Sequence, residues 1–175
     1  MRKVIGVVIG LVGMACCDLS AQAPVWWTAW SFRAAGVAVE GVPVKALNPV
    51  WRSASVIRRS DLPPAADRPG ERPEDYGLKF TLDLDLDKDG QAERVVVGVF
   101  STADGQTGRF LLILGKVKGA QSWTKRGLFT VDGSEAFSSL GLHGGTLQWY
   151  LCLECDVVAD VVRRGSGFEL RWLTP

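Results

Sequence analysis

The stretch Lys79-Phe80-Thr81-Leu82-Asp83-Leu84-Asp85-Leu86 decides the fold class of this chain. Its apolar residues, one phenylalanine and three leucines, alternate strictly with lysine, threonine and aspartate. Successive side chains of a β-strand point to opposite faces of a sheet, so this period of two is typical of a strand with one buried and one solvated face. The stretch therefore predicts a half-buried strand near the start of the region that begins at Gly77.

Similar segments recur from Gly77 to the C-terminus, and most are rich in Val, Leu, Phe and Trp, which favour strands. After residues 79–86, the predicted strands are 94–100, 109–116, about 122–131, 146–153, 156–163 and 168–173. Turn dipeptides such as Asp89-Gly90, Asp104-Gly105 and Asp132-Gly133 lie between them. Short strands at this spacing predict a mostly β fold, an antiparallel sandwich or small barrel, rather than βαβ units.

The predicted β domain covers residues 77–175. The segment that precedes it has a weaker pattern of apolar residues. Residues 24–76 form a predicted irregular N-terminal segment that contains two short extended runs, 37–40 and 42–45. Residues 61–73 hold four prolines and several charges, which is typical of a linker or a long surface loop.

One short helix is predicted within the N-terminal segment, over residues 49–60. Asn48 is a good cap residue, and Pro49 is tolerated in a first helical turn. Trp51, Ser55 and Arg59 then recur every four residues, which places them on one side of a helix.

An acidic loop follows the first predicted strand, with oxygen ligands at alternate positions. They are Asp85, Asp87, Asp89, the backbone carbonyl of Gln91, and Glu93. Calcium takes six to eight oxygens, and Gly90 supplies the backbone freedom that a tight curl around an ion requires. Neighbouring aspartates also repel, because two like charges a few ångströms apart cost about 1 kcal/mol even in water-like surroundings. The loop predicts a structural Ca²⁺ site of weak, extracellular-type affinity, and a plain surface hairpin is the alternative.

The residues Asp85, Asp87, Asp89, Gly90 and Glu93 resemble the D-x-D-x-D-G calcium loop of FG-GAP and VCBS repeat proteins. Both flanks are predicted strands, so the resemblance is to the hairpin version of this loop. An EF-hand would have helical flanks and a bidentate Glu at its twelfth position, where this chain has Val96. The resemblance covers about ten residues of one copy, so it implies a local metal loop and no repeated propeller.

The N-terminus has the three parts of a secretory signal peptide, predicted over residues 1–23. Arg2 and Lys3 precede an uncharged apolar run, and Ala21-Gln22-Ala23 provides small residues for cleavage. The apolar run is shorter than the roughly 20 residues of a membrane-spanning helix. Cys16 follows Ala15 as the acylated cysteine of a bacterial lipoprotein would, although Gly13 stands where a leucine is usual. We expect a periplasmic or secreted protein, with an outer-membrane lipoprotein as the alternative.

Removal of residues 1–23 from the 175 would leave a mature chain with 18 basic and 18 acidic residues. A neutral chain of mixed charge gives no electrostatic reason to expect a nucleic acid or an anionic membrane as partner. The mature chain has no further apolar stretch of spanning length. We therefore expect an envelope protein or a glycan as the binding partner.

Cys152 and Cys155 remain after signal cleavage, in a compartment where disulfides form. Residues three apart in a straight strand lie about 10 Å from one another, whereas a disulfide needs Cα atoms within about 7 Å. We therefore predict a local disulfide that closes a turn. A thiol-redox role would need a helix after the pair, and a zinc site would need two more ligands, so both are weaker alternatives.

Three of the seven tryptophans, Trp26, Trp27 and Trp30, cluster near the mature N-terminus. They could form a face that binds a glycan or a partner, although packing against the β domain is the simpler explanation. The chain has one histidine and no G-x-S-x-G, phosphate-binding glycine loop or H-E-x-x-H motif. We therefore expect a non-catalytic binding or structural module of the cell envelope. A thiol-redox accessory protein or an envelope enzyme that uses Cys152 and Cys155 is the alternative.

Overall fold

The computed structural model describes residues 25–117, 119, 122–154 and 157–173. Eleven strands and two short helices, together with three 3₁₀ turns, make up the described secondary structure. In chain order they are α1 (Trp26–Ala29), β1 (Ala38–Val39), β2 (Val42–Pro43), α2 (Val44–Leu47), β3 (Trp51–Val56), the 3₁₀ turns Arg59–Asp61, Pro64–Asp67 and Pro73–Tyr76, β4 (Thr81–Leu84), β5 (Glu93–Thr102), β6 (Thr107–Lys116), β7 (Trp123–Asp132), β8 (Ser139–His143), β9 (Thr146–Tyr150), β10 (Val158–Arg164) and β11 (Gly167–Leu173).

Two open antiparallel sheets form the body of the molecule, so the fold is consistent with a β-sandwich rather than a small barrel. One sheet has the order β3-β5-β6-β7, and β4 pairs with the first half of β5 beyond the end of β3. The second sheet has the order β11-β10-β9-β8. The prediction of a mostly β, antiparallel fold is confirmed.

β5 and β6 are buried on both faces, and this explains why their sequences are nearly continuous apolar runs. One face, with Val97 and Leu111, packs against Leu140 and Trp149 of the second sheet. The opposite face forms a second core whose buried members are Val39, Val44, Leu47, Trp51, Ala54, Val96, Phe100, Phe110, Leu112 and Leu114. The segment before β4 therefore covers a face of the five-stranded sheet.

The predicted helix over residues 49–60 is wrong, because residues Trp51–Val56 form strand β3. Ala54 lies opposite Phe100 of β5, and Trp51 stacks on the Phe100 ring at 4.7 Å between centroids. Asn48 ends α2 instead of starting a helix, since its backbone N–H donates to the Val44 carbonyl. Pairing with β5, which lies far away in sequence, outweighs a weak local preference for helix.

The predicted strands after Gly77 are all present, with bounds that differ by a few residues. An additional strand, Ser139–His143, was not predicted because it is short, polar at both ends and contains glycine. The predicted runs at 37–40 and 42–45 form the hairpin β1-β2, but the chain enters α2 at Val44. The predicted linker over 61–73 contains the 3₁₀ turn Pro64–Asp67 and, at its two ends, parts of Arg59–Asp61 and Pro73–Tyr76, and the rest is irregular.

Across the described ranges, no helix is long and apolar enough to cross a membrane. The predicted signal peptide, residues 1–23, and the candidate lipidation site Cys16 lie outside the described residues.

Candidate metal centre

The loop between β4 and β5 brings three of the predicted ligands together. Carboxylate oxygens of Asp85, Asp87 and Asp89 all lie within 4.8 Å of one another. Asp85 and Asp89 are exposed, whereas Asp87 is buried. Oxygens at this spacing could share one hard cation such as Ca²⁺.

Left-handed backbone geometry lets the loop curl. Lys88 has φ of 62° and Gly90 has φ of 88°, a region that glycine adopts without cost and other residues rarely adopt. The carboxylate of Asp85 accepts the backbone N–H groups of Asp89 at 3.1 Å and Gly90 at 3.0 Å. Asp87 and Asp89 each accept the backbone N–H of the residue two positions on, at 3.2 and 2.8 Å, as in Asx turns, so the aspartates organise the loop.

The two remaining predicted ligands have different positions. Glu93 is not part of the converging group; it is buried at the start of β5 and accepts the backbone N–H of Leu86 at 2.9 Å. Gln91 is exposed and donates its backbone N–H to Asp89 at 2.8 Å. Glu93 thus closes the base of the loop in this structure.

Two arginines hold Asp87 from opposite sheets. Arg126 of β7 donates to its carboxylate at 2.7 Å, and Arg163 of β10 donates to its backbone carbonyl. A buried carboxylate needs such partners, because burial of an unpaired charge is costly. The loop therefore contacts both sheets, at the edge strand β7 of one and at the inner strand β10 of the other.

Neither arginine was predicted as part of the site. Arg126 is 39 positions from Asp87 and Arg163 is 76 positions away. No local sequence signal connects residues at such separations, so only the packed structure identifies them.

Asp83, the first of the four aspartates, does not join the loop. Arg94 donates to both of its carboxylate oxygens, at 2.9 and 3.0 Å, and the hydrogen bonds from this guanidinium hold the pKa of Asp83 below its ordinary value. Arg94 also pairs with Glu40 at 3.1 Å and lies over the Trp123 ring. With Asp83 and Asp87 each paired to an arginine, mutual repulsion among the four aspartates is weaker than the sequence suggested.

The other predicted site residues lie away from this loop. Trp26 and Trp27 are each 5% exposed and belong to the core, whereas Trp30 is 40% exposed. Of the three, Trp30 therefore offers the most ring surface to a ligand. Cys152 is half-buried and Cys155 lies outside the described residues, so their disulfide stays a prediction.

No protein family model matches this chain, and no curated protein or solved structure matches it either.

Proposed function

We propose that this chain is an exported, non-catalytic binding or structural β module of the cell envelope. In this proposal the β4–β5 loop binds a structural Ca²⁺ ion through Asp85, Asp87 and Asp89. The observation that carries it is the approach of the three carboxylates to within 4.8 Å of one another. A weak calcium site in this loop is suited to extracellular conditions, because calcium is plentiful there.

The loop's position explains why a weak site would matter for stability. Asp87 contacts both sheets through Arg126 and Arg163, so an ion bound to its carboxylate would stabilise the junction between them. Binding to the folded state alone raises stability in proportion to the logarithm of ligand concentration. Millimolar calcium should therefore raise the melting temperature of the purified protein relative to EDTA.

Asp89→Asn should abolish this calcium-dependent shift. Asn retains the oxygen that accepts the Gln91 N–H but lacks the charge that binds the ion. Asp104→Asn is the matched control, because Asp104 is also an exposed loop aspartate and accepts a hydrogen bond from a residue two positions away, the Thr102 hydroxyl of the β5–β6 turn. Differential scanning calorimetry measures the melting temperatures of both variants in calcium and in EDTA. Equal melting temperatures of the unmodified protein in calcium and in EDTA would contradict the calcium proposal.

Arg126→Gln should have the opposite effect on calcium affinity. Its guanidinium occupies one Asp87 oxygen at 2.7 Å and places a positive charge beside the ion. Its removal should tighten calcium binding several-fold while lowering stability in EDTA. Isothermal titration calorimetry checks the first change and urea unfolding checks the second. Weaker calcium binding in this variant would argue against Asp87 as a ligand.

Export is tested separately, by the mass of the protein recovered from the cell envelope. Cleavage after Ala23 gives a chain that starts at Pro24, whereas lipidation leaves an acylated Cys16 at the N-terminus. Recovery of the full-length chain from the cytoplasm alone would contradict export.

A further inference from the structure

A cavity of about 380 Å³ lies beside the end of β3, far from the acidic loop in sequence. Its buried, apolar lining consists of Phe32, Ile57 and Val99. Polar groups surround this floor, namely two serine hydroxyls, two arginines and Asp61. An apolar surface with a few convergent polar groups is typical of small-molecule sites, and the volume falls within their usual range of about 300–1,000 Å³.

Trp30 provides an exposed aromatic ring at this cavity. Its indole N–H donates to the backbone carbonyl of Asp61 at 3.1 Å, while 40% of the residue stays accessible to solvent. This hydrogen bond fixes the ring before any ligand arrives. An ordered, half-exposed indole is an apolar platform on which the C–H face of a sugar ring can stack.

Arg33 and Arg58 also line the cavity, and both are exposed. Among the described residues, neither guanidinium forms a salt bridge, in contrast to Arg59, Arg94 and Arg126. Asp61, the acid of the lining, accepts the backbone N–H of Arg58 at 2.8 Å and, among the described residues, forms no salt bridge with either guanidinium. Both arginines can therefore direct their planar donor forks to a carboxylate of a ligand.

The positive surface continues beyond this cavity. Arg33 also lines a second one, of about 550 Å³, together with Arg52, which likewise makes no salt bridge within the described residues. Ser53 and Ser101 add hydroxyl groups to its wall. Arg33 thus lines both cavities, Arg58 lines the first and Arg52 lines the second, so a ligand longer than one ring could contact all three arginines.

We propose that this surface binds an acidic saccharide, a short chain of uronic acid units. One sugar ring stacks on Trp30, and carboxylates pair with Arg58, Arg33 and Arg52. A neutral glycan would leave the three guanidinium groups without partners, and a small inorganic anion would leave the aromatic platform and the apolar floor unused. Saccharide binding at this surface does not require calcium, because neither cavity includes Asp85, Asp87 or Asp89.

Isothermal titration calorimetry with tri-galacturonic acid tests the proposal on the purified protein. We expect saturable binding of this trisaccharide and no binding of neutral maltotriose. Arg33→Gln and Arg58→Gln should each weaken the trisaccharide at least tenfold, and Trp30→Ala should do the same. Arg68→Gln is the matched control, because Arg68 is an exposed arginine outside both cavities. This variant should bind the trisaccharide as tightly as the unmodified protein does.

Circular dichroism melts establish that each variant is folded. Arg33→Lys is a further variant, which keeps the charge but loses the planar guanidinium. This variant should bind the trisaccharide with intermediate affinity. Unchanged affinity in both glutamine variants would overturn the proposal, as would equal binding of maltotriose. Inorganic phosphate bound as tightly as the trisaccharide would also overturn it, since the site would then be a general anion site.

Discussion

At the scale of single residues, ion pairs decide which acidic groups remain available in the β4–β5 loop. Asp83 and Asp87 each contact an arginine, so their charges are largely offset within the protein. Asp85 and Asp89 accept backbone N–H groups and stay exposed, so their charges are the ones that a cation would neutralise. The metal proposal therefore depends most on these two residues.

Asp160, a buried acid outside the β4–β5 loop, predicts a pH dependence of stability. It is 6% exposed on β10, where Arg171 donates to it at 2.5 Å and Gln148 donates at 2.9 Å. These hydrogen bonds, the one from Arg171 first, hold the pKa of Asp160 below its ordinary value of 3.8. Its contribution is complete above the pKa of the unfolded chain and is lost as the pH falls through the lower, folded value.

Asp160→Asn should make the free energy of unfolding depend less on pH in the acidic range. The amide oxygen can still accept from Gln148, but no carboxylate remains to be protonated. Urea unfolding between pH 2 and pH 6 should show a variant that is less stable than the parent near neutral pH and closer to it in acid. A constant difference across the range would contradict the assignment.

At the scale of elements, reciprocal packing of phenylalanine over glycine fixes the register of β5 and β6. Gly98 lies opposite Phe110, and Gly108 lies opposite Phe100. A Cβ at Gly98 would stand 2.5 Å from the Phe110 ring and 2.2 Å from the Ser55 carbonyl oxygen of β3. Each glycine therefore provides the space that a neighbouring ring occupies.

Gly98→Ala should lower the free energy of unfolding by about 2 kcal/mol or more, because neither the ring nor the β3 backbone can move away freely. Gly127→Ala in β7 is the matched control. Its Cβ would lie 3.4 Å from Ile113, which is ordinary contact, so a change of about 1 kcal/mol or less is expected. Urea unfolding measures both. A tolerated Gly98→Ala would show that β3 does not approach β5 this closely.

At the scale of the whole molecule, residues 25–76 are part of the β fold rather than an appendage to it. Strand β3 pairs with β5, and α2 covers the outer face of the same sheet through Val44 and Leu47. Removal of this segment would expose Val96, Phe100, Phe110, Leu112 and Leu114 to water. An exposed apolar face made of five large side chains favours association of the protein or loss of its fixed packing.

A fragment of residues 77–175 should therefore not fold as the intact chain does. We expect it to bind the dye ANS strongly and to lose the cooperative thermal transition of the purified protein. Fluorescence titration and circular dichroism check the two expectations. A fragment that melts cooperatively at the temperature of the intact chain would support residue 77 as the start of an independent domain.

Local sequence patterns were enough to predict most of the strands and the acidic loop. Alternation in residues 79–86 and the turns after each strand predicted an antiparallel β fold, because side-chain period and turn chemistry act between near neighbours. The same locality made Asp85, Asp87 and Asp89 recognisable as a group, since all three lie within one loop.

Tertiary structure alone decided which distant residues complete these features. It made residues Trp51–Val56 a strand through pairing with β5, placed Arg126 on Asp87, and buried Trp26 and Trp27 while leaving Trp30 exposed. It also placed Arg33 at two cavities, one lined by Arg58 and the other by Arg52. The physical reason is that burial and ion pairing depend on how the sheets pack, and no local pattern in the chain encodes a contact across 39 or 76 positions.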